Sequence, residues 1–198
     1  MLIGLTGGIA CGKSTVSRML AARGAVIVDA DVVARDVVEL GTPGLAQVVA
    51  AFGGGVLDAK GRLDRKAMGA RVFGDGAARK TLEGILHPLI AQESMTRLAA
   101  AGASGAPIVV YDAPLLIEAG RGDLFRPLVV VSAPEGVQIE RLLNRDGLDE
   151  PAARARIAAQ MPVAEKAALA DHVVDNGGTL EQTEAQVSAL WEALVDHG

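Results

Sequence analysis

Cysteine is nearly missing from this sequence: Cys11 stands alone among 198 residues. One thiol closes no internal disulfide and builds no cysteine-based zinc site, which excludes a disulfide-stapled scaffold and a zinc finger. Aromatic residues are scarce as well, with three Phe, one Trp and one Tyr. Basic charge is in deficit, since 19 Lys and Arg stand against 24 Asp and Glu for a formal net charge of −5. A polyanionic backbone selects a basic face and unstacked bases need aromatic platforms, so no nucleic-acid partner is expected. Apolar runs are short: none reaches the roughly 18 to 20 residues that span a bilayer, and Met1-Leu2-Ile3-Gly4 lacks the basic region and cleavage site of a signal peptide. No membrane partner is expected, and a cytoplasmic location is.

Half of the residues are hydrophobic and 22% are charged. At this length folding buries roughly 70% of the unfolded surface, enough for one domain with small appendages and no staples. Short branched runs alternate with longer amphipathic stretches, the pattern of an α/β fold whose parallel sheet is covered by helices. Five strands are expected, at Leu2 to Thr6, Ala25 to Asp29, Pro107 to Asp112, Leu128 to Ser132 and His172 to Asp175. Three end near an acidic residue at the C-terminal sheet edge, where ligands bind in open α/β sheets. Val16, Met19 and Leu20 mark a helix after the first strand, and Val137, Leu142 and Leu143 one after the fourth. Thr179 and Gln182 fit a capping box ahead of a stripe of Val187, Leu190, Trp191 and Leu194.

Two stretches break the alternation. From Asp31 to Gly102 no convincing strand appears, only helical patterns at Pro43 to Phe52, Arg65 to Phe73 and Ala77 to Leu98, with a kink expected at Pro88. From Arg141 to Lys166 the chain carries five arginines or lysines and an Asp146-Gly147 turn, which suggests a flap. The run from Ala99 to Ala106 reads as a connecting loop.

The most informative segment is Gly7-Gly8-Ile9-Ala10-Cys11-Gly12-Lys13-Ser14-Thr15, which fits the phosphate-loop (P-loop) pattern GxxxxGK[ST] between a strand and a helix. Its glycines let successive N–H groups face an anion, and the following helix adds its positive end. Lys13 is expected on the β- and γ-phosphates of ATP, and the Ser14 hydroxyl on Mg²⁺. Cys11 is either a redox-active thiol at a helix N-terminus, whose alkylation would block ATP, or a small residue fitted into a tight loop.

Further along, Asp31 follows the second strand, where a carboxylate can accept a hydroxyl proton or position a substrate. Four residues from Arg35, it can equally form a surface ion pair. Asp112 ends the third strand, either assisting Mg²⁺ or capping a helix. A guanine-nucleotide switch is a rival, but NKxD is absent and the DxxG match from Asp58 to Gly61 follows three glycines, so it reads as a turn. Another small P-loop kinase is the nearer alternative.

The P-loop together with VDADVVARDVV (Val28 to Val38), LEGILHPLI (Leu82 to Ile90), YDAPLLIE (Tyr111 to Glu118), QIERLLNRDG (Gln138 to Gly147), IAAQMP (Ile157 to Pro162) and ADHVVDNGG (Ala170 to Gly178) resembles the dephospho-CoA kinase family. The likeness runs almost end to end. It implies ATP-dependent phosphorylation of the ribose 3′-hydroxyl of dephospho-coenzyme A, the last step of coenzyme A synthesis, by a five-stranded parallel P-loop nucleotide-kinase-like core with a helical substrate-binding insert and a lid. The core is expected at about 1–30, 103–140 and 167–198, the insert at about 31–102 and the lid at about 141–166.

Carried onto matching positions, the resemblance makes Asp31 the group that orients or deprotonates the acceptor hydroxyl, and Arg35 and His87 acceptor-binding residues. Arg141 and Arg145 become lid arginines that close over the transferring phosphoryl group, and Asn176 belongs to an adenine-contacting turn. Each has a plainer reading: His87 as a helix-end cap before Pro88, Arg141 and Arg145 as a solvated helix face, Asn176-Gly177-Gly178 as a simple turn. The implied partners are dephospho-CoA and ATP, with no obligate protein partner. Two positions depart from the family pattern: Ala10 and Cys11 stand where glycine then serine are more frequent, and Ile117 where an aromatic is usual.

Overall fold

The branched runs form the strands of a five-stranded parallel α/β sheet, as expected. The computed structural model describes residues 1–196; residues 197 and 198, the end of the expected core, lie outside the described residues. In chain order the elements are β1 (Leu2–Gly7), α1 (Lys13–Ala22), β2 (Val26–Asp29), α2 (Ala30–Asp36), α3 (Pro43–Phe52), α4 (Arg65–Val72), α5 (Gly76–Ala103), β3 (Val109–Asp112), β4 (Leu128–Ser132), α6 (Glu135–Asp146), α7 (Glu150–Ala158), α8 (Val163–Ala168), β5 (His172–Asp175) and α9 (Leu180–Asp196). The sheet order is β2-β3-β1-β4-β5. Connections run one way from β1 and then reverse to β4, so the C-terminal end of β1 is the point where a crevice opens for ligand.

Register fixes which residues meet at that edge. Leu5 of β1 lies opposite Asp112 of β3, and Gly7 lies opposite Val131 of β4. Leu128, Val129, Val130 and Val131 are all buried, as a strand covered on both faces requires. The core joins Ile3, Leu5, Val110, Val129 and Val131 to Val16 and Leu20 of α1 and to Val187, Leu190 and Leu194 of α9. The α9 capping box forms reciprocally: Thr179 N–H donates to Gln182 Oε1 at 2.9 Å, and Gln182 N–H to Thr179 Oγ1 at 3.3 Å.

The chain divides into two compact units: Met1–Val28 with the residues from Ala100 onward, and Asp29–Ala99. The second unit has its own core around Val38, Val48, Val56 and Met68. Its helices start on side-chain caps. Asp29 Oδ1 accepts from Asp31 and Val32 N–H, Thr42 Oγ1 from Leu45, and Asp64 Oδ1 from Lys66 and Ala67. Asp58 Oδ1 accepts from Lys60 and Arg62 N–H at 2.8 and 2.9 Å, so the DxxG match is a tight turn.

Several boundaries differ from expectation. The Ala99 to Ala106 run is helical through Ala103, because alanine is the strongest helix former and outweighs the single Gly102. Pro88 does not end α5 either. Gly84, whose carbonyl loses its N–H donor there, is exposed and open to water, so the helix continues past the proline and His87 lies in mid-helix rather than at a cap. The stretch 141–166 holds the end of α6, then α7 and the start of α8, with no strand.

Candidate active site

Backbone geometry at the head of α1 follows from two loop glycines. Gly12 takes φ +85° at the N-cap, and a Cβ there would run into Asn176 Nδ2. A Cβ on Gly8 would lie 2.7 Å from Gln138 Nε2 and 2.9 Å from Cys11 Sγ. Any larger residue at either position would push apart the groups that hold the loop. The amides of Lys13 and Ser14, the first two of α1, have no acceptor within the helix, which is the condition for anion binding at a helix N-terminus.

Facing that turn, Lys13 Nζ is ion-paired with Asp112 Oδ1 across the edge between β1 and β3. Asp112 is buried and accepts from this lysine. Ser14 is exposed on the first turn. Among the described residues no cluster of three or more His, Cys, Asp or Glu side chains gathers to hold a metal alone. A hydroxyl and one carboxylate beside a phosphate cradle fit Mg²⁺, which keeps several waters and shares phosphate oxygens.

The outward side of the loop is tied down residue by residue. Arg141 donates from Nη1 to Ala10 O at 3.2 Å and from Nη2 to Asn176 O at 2.7 Å. Asn176, 5% exposed, donates from Nδ2 to Cys11 O at 2.8 Å while its Oδ1 accepts from Thr183 at 2.8 Å. Gln138 donates to Ile9 O at 3.1 Å, and Gln160 Oε1 accepts from Ile9 N–H at 2.9 Å. Ile9 and Ala10 pack on Ile139, Leu142 and Ala153 of α6 and α7. Arg141 and Asn176 therefore meet at the loop, and the polar side-chain atoms of Asn176 face protein groups.

Other expected residues are placed differently. Arg145 forms a two-pronged pair with Asp146 at 2.7 and 3.1 Å, and Arg156 reaches the same carboxylate at 3.0 Å. The Arg145 guanidinium holds the Asp146 carboxyl below its usual range. Cys11 is fully buried, with Gln138 Nε2 2.7 Å from its sulfur. Burial pushes its thiol up, because desolvation outweighs the nearby donors, which favours the small residue fitted into a tight loop over the activated thiolate.

In the Asp29–Ala99 unit, Asp31, Arg35 and His87 are exposed, and among the described residues no ion pair joins Asp31 to Arg35. Asp31 lies in the first turn of α2, fixed by the Asp29 cap at 2.7 Å. None of the three lines that unit's cleft of about 410 Å³, which is bordered by Asp36, Thr42, Gly44, Leu89, Gln92 and Arg97 among others. There Arg97 pairs with Asp36 at 2.8 Å and with Glu93 at 2.7 Å.

Residues 1–182 match the family model described as dephospho-CoA kinase (CoaE). The chain belongs to the dephospho-CoA kinase family. A protein of that name from Geobacter metallireducens is 51% identical over 99% of this chain and 98% of its own length, and one from Leifsonia xyli subsp. xyli is 52% identical over 98% of each. Among solved structures, one from Thermus thermophilus matches with a TM-score of 0.81 at 34% identity, covering 98% of this chain and 97% of that one. Dephospho-CoA kinase from Campylobacter jejuni matches with a TM-score of 0.76 at 25% identity over the same shares. The protein is thus a kinase of the dephospho-CoA kinase family built on a P-loop α/β core. Among the described residues no helix is long and apolar enough to cross a membrane.

Three residues that hold this site were given no role by the sequence: Gln138 and Gln160, which lie inside the segments Gln138 to Gly147 and Ile157 to Pro162, and Lys166. Gln138 had a faint signal, a polar residue between Val137 and Ile139 on a buried stripe. Lys166 had none, since α8 spans only six residues, too few for a readable period.

Proposed function

We infer that the enzyme moves the γ-phosphoryl group of ATP, bound as its Mg²⁺ complex on Gly7 to Thr15, to the ribose 3′-hydroxyl of dephospho-coenzyme A, giving coenzyme A and ADP. The observation that carries this reading is the Lys13–Asp112 pair at the mouth of the glycine cradle, which puts a cation and a carboxylate beside the amides that face an anion. Ser14 and Asp112 are the groups that would hold Mg²⁺, which would supply charge neutralisation at the phosphates. Lys13 neutralises phosphate charge alongside it. Arg141, already oriented at the loop by Ala10 and Asn176, offers its guanidinium to the charge spread over the transferring group. Arg145 joins it on leaving Asp146, with the segment 141–166 acting as a lid.

Asp31 aligns the acceptor hydroxyl, and Arg35 and His87 bind the acceptor within the helical insert. The acceptor oxygen bonds to the γ-phosphorus as the bond to the bridging oxygen of ADP breaks. The hydroxyl proton passes to Asp31 or to solvent, since a loose transition state needs little base assistance. Asn176 and its turn border the adenine. Both substrates are small molecules, and the reading requires no protein partner, nucleic acid or membrane. A cytoplasmic location goes with it.

A coupled ADP-release assay with Mg·ATP tests this, with dephospho-coenzyme A run beside adenosine, AMP and shikimate and the product identified by mass. Turnover selective for dephospho-coenzyme A is expected. Silence there with turnover on another acceptor would leave a P-loop kinase with a different substrate.

A further inference from the structure

Among the described residues Lys166 is the largest fully buried side chain, at 0% exposure, and no step above uses it. An ammonium group has three donors, and here each has an acceptor: Gly7 O at 3.2 Å, Pro114 O at 3.1 Å and Glu118 Oε1 at 2.7 Å. These acceptors are not scattered. Gly7 is the last residue of β1, from which the phosphate loop departs, and Pro114 lies two residues beyond Asp112, which ends β3. β1 and β3 are hydrogen-bonded neighbours. Thr6 Oγ1 donates to the same Pro114 carbonyl at 3.0 Å, and Glu118 also accepts from Met161 N–H at 3.3 Å. One ammonium therefore joins the stem of the phosphate loop, the stem of Asp112 and the chain that leads into α8.

For stability alone an apolar residue of similar volume serves as well as a buried ion pair, whose desolvation offsets much of its attraction. What the lysine supplies is fixed distances among three backbone segments. We propose that Lys166, held by Glu118, is a positioning residue that sets the separation of the phosphate loop from Asp112, and with it the geometry in which Lys13, Ser14 and Asp112 receive Mg·ATP. The β1–β3 register ends at Leu5 and Asp112, while Lys13 and Ser14 lie beyond it on the loop. Past that end Lys166 adds, to the Thr6–Pro114 bond, a second tie between the two stems.

The proposal rests on the loop being the ATP site, so the test separates the two. Mg·ATP affinity is measured by calorimetry on the full chain without acceptor, and turnover with dephospho-coenzyme A is measured in parallel, for wild type, Lys166→Met, Lys166→Arg and Glu118→Gln. Wild-type binding of Mg·ATP without turnover would sink the acceptor assignment and leave this test intact; absence of wild-type binding would overturn both. Supporting partners of a bound metal typically account for about 10- to 100-fold in affinity or activity, so Lys166→Met is expected to weaken Mg·ATP about tenfold or more. The KM for Mg·ATP should rise in step while the KM for dephospho-coenzyme A stays near wild type. Lys166→Arg keeps the charge but not the three-way reach, and Glu118→Gln keeps an acceptor but not the charge; both should show the same split, more weakly. A residue that only holds the fold together would lower the active fraction and kcat without moving the Mg·ATP affinity of the folded molecules. Wild-type affinity in cooperatively folded Lys166→Met would overturn the proposal. If that variant does not fold, wild-type affinity in Lys166→Arg and Glu118→Gln would do so, as would loss of folding in all three.

Discussion

Replacing Asn176 by alanine removes two buried side-chain hydrogen bonds, the one given to Cys11 O at 2.8 Å and the one received from Thr183 Oγ1 at 2.8 Å. Thr183 keeps its second partner, Thr179 O at 3.2 Å, but the Cys11 carbonyl loses the donor that holds the loop. A neutral bond contributes about 1 kcal/mol and a stranded buried acceptor costs about 1–3 kcal/mol; since the two descriptions overlap, the expected loss is about 2–4 kcal/mol. In a chain of this size each kcal/mol moves the melting midpoint by about 2–4 °C, so the variant should melt roughly 5–15 °C lower without nucleotide. Arg141 should stay oriented, because its bond is to the Asn176 backbone carbonyl, which alanine retains. Calorimetric melting with and without Mg·ATP is the assay. An unchanged midpoint without nucleotide, paired with weakened ATP binding, would refute the brace and leave Asn176 as a direct nucleotide contact.

Other expectations follow from the same site. Lys13→Ala should lower turnover about 100-fold or more while keeping a cooperative unfolding transition, because it deletes a donor aimed at developing charge; turnover within a few-fold of wild type would reject that role. Asp31→Asn should lower turnover by about two orders of magnitude with an unchanged melting midpoint, since the side chain is exposed, and near-wild-type turnover would remove Asp31 from the chemistry. Cys11 should resist iodoacetamide at neutral pH in the native protein and react once denatured, because burial raises its thiol pKa; prompt native labelling would contradict that burial. Asp171 accepts from Arg126 at 2.8 Å and from Leu128 N–H at 2.6 Å, which lower its pKa on folding. Its contribution is present above the unfolded carboxyl pKa and is lost as pH falls through the lower folded one. Asp171→Asn should therefore be less stable than wild type near neutrality and lose less on acidification, and parallel stability curves for the two proteins would reject this.

The sheet was legible because its strands are short branched runs, and P-loop and strand boundaries read from residues fell within two positions of the observed ones. Helix starts were legible for the same local reason: Thr42-Pro43 and Thr179 with Gln182 declare a cap before any tertiary contact exists. What the residues left open depends on surroundings. Pro88 reads as a kink within a helix, and the helix runs on through it because exposure of Gly84 lets water take the orphaned carbonyl. Cys11 reads as either an activated thiol or a small residue fitted into a tight loop, and burial against Gln138 decides for the second. Asn176 reads as a turn residue or a ligand contact, and its side chain points instead at a carbonyl whose sequence partner is 165 residues away.

These long-range partners share one physical cause. A loop that turns N–H groups toward an anion turns carbonyls away from it, into the protein, where each must find a donor. Two of them, Gly8 O and Gly12 O, are met locally, by Cys11 N–H at 3.1 Å and Thr15 N–H at 2.9 Å. The other four are met by side chains from distant elements: Gly7 O by Lys166, Ile9 O by Gln138, Ala10 O by Arg141 and Cys11 O by Asn176. The glycine motif therefore specifies only the inner half of the cradle. Its outer half is a set of donors spread from α6 to the turn after β5, and the two cationic members, Lys166 and Arg141, add positive charge at the carbonyls. Arg141 belongs to both halves, since the bonds that brace Ala10 and Asn176 also fix the direction of its guanidinium. A substitution there should disturb loop geometry and charge stabilisation together, so its effect on turnover should exceed that of Asn176, which supports the loop alone.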